Sequence, residues 1–158
     1  MLDPAIAAPA IAQYAAEAFA ARKLMARQTV DARRMSLSQA EAHMKPWAAI
    51  ACLAGADLPD LADAIADRTS KGADGEWITS PAEARFLVAL DICPRDTALA
   101  VLAVARKAAL DALPEQGDPN SPQFTAASAL NKLAVHLGCP PYLPADRSQH
   151  GREQRNAA

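Results

Sequence analysis

Large apolar side chains are what this sequence has least of, given how apolar it looks. Hydrophobic types make up 51% of its 158 residues, but 40 residues are alanine, and aromatics are limited to three Phe, two Tyr and two Trp. Val, Ile and Thr together reach only 16, so a sheet would lack its usual β-branched material. The three cysteines, Cys52, Cys93 and Cys139, are odd in number and share no short spacing. That argues against a disulfide-stapled secreted domain and for reduced thiols in a cytoplasmic setting. A basic n-region is missing from the first ten residues, which carry Asp3, Pro4 and Pro9 instead, so no signal peptide is expected. The longest apolar runs, residues 47–54 and 98–105, fall far short of the ~20 residues that span a bilayer. A formal charge of -2 gives no global attraction to nucleic acid or to an anionic membrane.

Catalytic signatures are missing as well. The chain has no G-x-S-x-G, no H-E-x-x-H and no dinucleotide glycine fingerprint, and Ser70-Lys71-Gly72 lacks the upstream glycine of a phosphate loop. His136 and Cys139 form one H-x-x-C pair without a second pair at ligand spacing, and His43 has no nearby His or Cys. Neither a metal nor a cofactor is expected.

What is present is helix-forming material. Alanine loses no side-chain entropy in a helix, and X-Pro steps supply start signals because proline tolerates the first helical turn. Asp3-Pro4, Leu58-Pro59, Ser80-Pro81, Cys93-Pro94 and Ser121-Pro122 all fit. Ser80-Pro-Ala-Glu83 and Ser38-Gln-Ala-Glu41 have the spacing of a capping box. The expected architecture is all-α: one domain over residues 1–144, a bundle of five or six helices, with a polar tail at 145–158 expected to be disordered. Arg outnumbers Lys 11 to 5, a bias that with abundant alanine suits a GC-rich bacterial genome.

The first helix is predicted over residues 8–34. Ile11, Tyr14, Ala15, Ala18, Ala21 and Met25 form a narrow stripe with Phe19 at its edge, and Arg22 interrupts it. Residues 26–35 have little to bury, so this helix is expected to be the least anchored and able to project. A second helix runs from Ser36 or Ser38 to Ala54, kinked or split at Pro46 and stopped at Gly55. Trp47 would fill the gap left by that kink. A third covers residues 59–68, a fourth 81–92 with Phe86, Ala89 and Leu90 inward, a fifth 94–113, and a sixth 122–137. The fifth is apolar on every side over residues 98–105 and is expected at the centre.

Three features bear on function. The turn at Gly55, with Ala51, Leu58 and Leu61 around it, resembles a helix-turn-helix, but Asp60, Asp63 and Asp67 share one face of its second helix and would repel phosphates. Arg22, Lys23, Arg27, Arg33 and Arg34 crowd one stretch of the first helix. Lys23, Arg27 and Arg34 lie on one face, with Arg22 and Arg33 about 100° round. This patch could hold phosphates, serve as a solvated face, or meet the Asp60, Asp63 and Asp67 stripe of the same chain or a neighbouring copy. Trp77 stands in a turn-rich segment, where it either folds back as a plug or anchors a partner.

A thin core that would profit from another chain, combined with missing catalytic motifs, gives a non-enzymatic reading. It is a helical adaptor or assembly subunit, oligomeric or part of a larger complex, with Ile11, Phe19, Met25 and Trp77 as partner-binding residues. The alternative is a nucleic-acid-associated accessory or regulatory protein of mobile-element type, using Arg22, Lys23, Arg27, Arg33 and Arg34 with Arg147, Arg152 and Arg155 of the tail. No membrane role is expected.

Overall fold

The computed structural model describes the backbone of residues 4–144 and the side chains from Ala10 onward; the tail expected to be disordered lies outside the described residues. Within them the chain is all-α, with six α-helices: α1 (Pro4–Asp31), α2 (Leu37–Leu53), α3 (Ala62–Arg68, entered through a 3-10 turn at Pro59–Leu61), α4 (Pro81–Ile92), α5 (Arg95–Asp111) and α6 (Pro122–His136). Two short antiparallel strands, β1 (Ser70–Lys71) and β2 (Trp77–Thr79), form a hairpin between α3 and α4. No helix among the described residues is long and apolar enough to cross a membrane.

Four helices form a ring. α1 packs on α2, α2 on α5, α5 on α6, and α6 returns to α1; α4 lies against α2 and carries α3. The centre is α2, not α5. Residues 47–52 of α2 are buried in unbroken succession, which takes in every side of the helix. In α5 only Ala98, Leu102 and Arg106 are buried, one stripe at four-residue spacing, and Val104 is 70% exposed. The apolar run at 98–105 misled because alanines can face water at little cost, whereas Trp47 and Ile50 cannot. The largest fully buried side chains are Ile50, Leu102, Leu133 and Cys52, so the core is as thin as the alanine count implies.

α1 is anchored over residues 11–19. Ala15 and Ala18 are buried, and Ile11, Tyr14 and Phe19 pack partly buried against the core. Arg22, which interrupts this stripe in sequence, is accommodated rather than excluded. Its guanidinium lies 3.5 Å from the centroid of the buried Trp47 ring, and its Nη1 donates to the Ala18 carbonyl at 3.2 Å. The aromatic face meets a delocalised cation while the aliphatic stem covers apolar surface. Pro46 neither splits nor ends α2. The carbonyl that loses its helical donor belongs to Ala42, an exposed residue, so water can take the donor's place.

Helix ends follow local chemistry. Ser80 and Ser121 accept from the backbone N–H of Glu83 and Phe124, each at 3.2 Å. The reciprocal capping box forms at Ser36 and Gln39, two residues before the expected Ser38 and Glu41: Ser36 Oγ accepts from Gln39 N at 3.1 Å, and Gln39 Oε1 accepts from Ser36 N at 3.0 Å. Three helices close with the same pair of crossed bonds. In α2, Gly55 N donates to Cys52 O and Ala56 N to Ala51 O; in α6, Gly138 N donates to Val135 O and Cys139 N to Ala134 O; in α1, Arg33 N donates to Val30 O and Arg34 N to Thr29 O. The pivot residue is left-handed each time, at φ 84° for Gly55, 86° for Gly138 and 57° for Arg33. This is the Schellman arrangement, with an arginine where glycine is usual.

Candidate interaction surface

α4 is apolar on two opposite sides. Its inner face buries Ala84, Val88 and Ala89. Phe86, Leu87 and Leu90 project from the other face, 45%, 37% and 40% exposed. Phe86 and Leu90, expected to be core residues, therefore stand outside it. Smaller residues suffice against the alanine-lined α2, which leaves the bulkier side chains to the surface. Sequence reasoning missed this face, and the signal for it was the excess of large apolar residues round the whole of α4.

The hairpin runs into the same helix through Ser80. Ser70 pairs with Thr79 and Lys71 with Trp77, and the turn between the strands is held by Gly72 N to Glu76 O (2.8 Å) and Glu76 N to Asp74 Oδ1 (3.1 Å). Trp77 does not plug the core. It is 49% exposed, with Lys71 Nζ 4.3 Å from its ring centroid, and Ile78 beside it is 68% exposed.

The four residues expected to bind a partner do not come together. Ile11 and Phe19 pack against the chain's own core; Met25, 65% exposed, lies on the outer half of α1; Trp77 sits on the hairpin. The five cations expected to bind nucleic acid are divided as well. Arg22 turns in over Trp47, and Lys23 pairs with Asp60 of the acidic stripe. Arg27, Arg33 and Arg34 are exposed. Asp57, at the turn resembling a helix-turn-helix, pairs with Arg85, and Arg68 pairs with Asp91.

A second uncovered surface lies between α1 and α6. Ala10, Ile11 and Tyr14 form one wall of a half-open groove of about 920 Å³, with Phe124, Ser128, Asn131 and Val135 opposite. Among the described residues, Lys132 is its one charged side chain, and its surface is mostly apolar. Burial raises the Tyr14 pKa, an effect partly opposed by the Arg22 guanidinium. The same burial lowers the Arg22 pKa.

All three cysteines are buried and unpaired. Burial pushes the Cys52 thiol up to about 11 despite the nearby Arg85, and it raises Cys139 despite Arg106. A raised pKa keeps these two as thiols at neutral pH and withholds the thiolate that nucleophilic chemistry needs. Arg106 is 4% exposed; its Nη2 donates to the Pro140 carbonyl at 2.5 Å, while Nε and Nη1 have no hydrogen-bond partner among the described residues. Arg95 Nη2 likewise donates to the Leu137 carbonyl at 3.3 Å, so two arginines of α5 hold the chain as it leaves α6. Among the described residues, no three His, Cys, Asp or Glu gather as a metal site.

Comparison with known proteins finds no matching family model, no matching curated protein and no matching solved structure.

Proposed function

We propose that this protein acts by docking onto another protein chain, as a non-enzymatic adaptor or assembly subunit. The observation that carries this reading is the outer face of α4, where Phe86, Leu87 and Leu90 stand exposed on the helix that the exposed Trp77 and Ile78 strand leads into. Scattered exposed apolar residues need no explanation, but three on one helical face, with a half-exposed Trp on the segment leading into it, have the composition of an interface centre. The buried, high-pKa thiols Cys52 and Cys139 favour this reading over a cysteine-based enzyme.

Photo-crosslinking tests the proposal. A crosslinking side chain at Leu90 should capture a polypeptide in cells, whereas one at the exposed Ala42 of α2 should not. Failure of positions 86, 87 and 90 all to yield a protein adduct would overturn it.

The nucleic-acid reading keeps three exposed cations, Arg27, Arg33 and Arg34, near the end of α1. Salt-sensitive retardation of a DNA or RNA duplex, weakened by Arg27→Ala with Arg34→Ala, would favour it instead. With two of the five cations turned to Trp47 and Asp60, the dependence on salt should be shallow.

A further inference from the structure

Among the described residues, the chain carries two uncovered apolar surfaces, one edged by a carboxylate and the other by a lysine. One is the ridge that Phe86, Leu87 and Leu90 form as they project from the outer face of α4; Glu83 lies beside Phe86 and Leu87, and Asp91, paired with Arg68, follows Leu90. The other is the α1–α6 groove, lined by Ile11, Tyr14, Phe124 and Val135, where Lys132 is the one charged side chain among the described residues. A helix laid in a groove between two others is a recurrent way for one chain to cover another. We infer that the α4 ridge of one copy seats in the α1–α6 groove of a second copy, with Glu83 reaching Lys132. This deepens the docking function proposed above and rests on it, naming a second copy of the chain as the partner.

Charge selects this pairing over the symmetric ones. Pairing α4 with α4 would leave the groove uncovered, and Arg85, the one cation of that helix, is already engaged with Asp57. Pairing groove with groove would bring Lys132 of both copies to one surface and leave it no carboxylate. Ridge into groove covers both surfaces and brings unlike charges together. Because the two surfaces differ, the contact is head-to-tail, and association continues beyond a dimer unless the rotation closes a ring.

Light scattering coupled to size exclusion, on the full chain over a range of concentrations, tests this. The wild type is expected to associate. Phe86→Glu on the ridge and Val135→Glu in the groove should each weaken association at least about tenfold, since both place a charge in an apolar contact. Each variant keeps the surface the other has lost, so an equimolar mixture should form a one-to-one dimer that grows no further. The charge swap works at exposed positions and so spares the fold. Glu83→Lys and Lys132→Glu should each weaken association, and the two together in one chain should restore it. Association of Val135→Glu equal to wild type, or a mixture that stays monomeric while the wild type associates, overturns the ridge-in-groove contact. A wild type that remains monomeric overturns it too. In either case a Leu90 crosslink to a different protein would leave the docking function standing.

Discussion

α2 and α4 lie against each other, and both carry more apolar residues than one face can hold, yet the fold treats them in opposite ways. Residues 47–52 of α2 are enclosed on all sides by α1, α4 and α5, with alanine and cysteine at half or more of those positions. α4 puts its small residues inward and leaves Phe86, Leu87 and Leu90 facing out. The difference teaches that in an alanine-rich chain side-chain size does not sort residues into core and surface. Close approach of helix axes requires small residues at the contact, so the enclosed helix is the one whose neighbours can come near, and bulk is displaced to the periphery. Burial of a large apolar side chain contributes about 1.5 to 3 kcal/mol, so few such residues carry the stability of the core.

The sharpest way to break the comparison is to delete the same kind of side chain from each helix. Ile50→Ala in α2 is expected to lose about 2 to 5 kcal/mol, as a cavity opens where nothing can collapse into it. Leu90→Ala on the outer face of α4 is expected to lose less than about 1 kcal/mol in the isolated chain. Urea titration of the two variants checks this, and equal losses would mean that the outer face of α4 is covered. Enlarging a contact sharpens the same point: Ala49→Leu in α2 should cost about 1 to 3 kcal/mol by forcing helices apart, with the loss read as a lower thermal midpoint.

A smaller effect comes from the Cys52 thiol. Its folded pKa is raised to about 11 from an ordinary 9.0. The folded state therefore holds the proton more tightly than the unfolded chain does between those values. The contribution to stability is complete below about pH 9 and is lost as pH rises through about 11. Denaturation midpoints at pH 8 and pH 11 should fall further for wild type than for Cys52→Ala. An identical fall would show that the thiol stays protonated in both states or ionises equally in each.

The smallest expected effects concern the helix ends. Gly55→Ala meets no atom within 4 Å of the new Cβ, so only the left-handed backbone resists it, at about 1 kcal/mol. Arg33→Gly should do the reverse. Relief of the left-handed penalty exceeds the added entropy of the unfolded chain, for a gain of a few tenths to about 1 kcal/mol. Opposite shifts of the thermal midpoint in the two variants would verify that the endings of α1 and α2 are equivalent.

These endings also show why parts of the fold were legible and others were not. Gly55 and Gly138 announced the ends of α2 and α6, because glycine at a pivot is a backbone signal carried by residue type. Arg33 performs the same turn without the residue that marks it, so α1 was predicted to continue past Asp31. Ser80-Pro81 and Ser121-Pro122 marked two helix starts, whereas the choice between Ser36 and Ser38 depended on which glutamine or glutamate could reach back. The candidate surface was harder to see. Trp77 stood out by its setting among turn residues, but Phe86 and Leu90 match a core stripe as well as an outer one, and only the position of α2 decides between them. The basic cluster on α1 looked continuous because sequence does not reveal that Trp47 takes Arg22 and Asp60 takes Lys23.

The α1–α6 groove has walls from segments separated by more than a hundred residues: Tyr14 on one side reaches toward the Ala126 carbonyl on the other, at 3.5 Å. Such a surface has a place in time as well as in space. As the chain emerges from a ribosome at about 5 to 20 residues per second, α1, α2 and α4 are all available seconds before α6 exists, so the α4 ridge is presented first and the groove last. A growing chain cannot yet supply the groove of such an assembly. A nascent copy can offer its ridge to the groove of a finished neighbour, but cannot receive one.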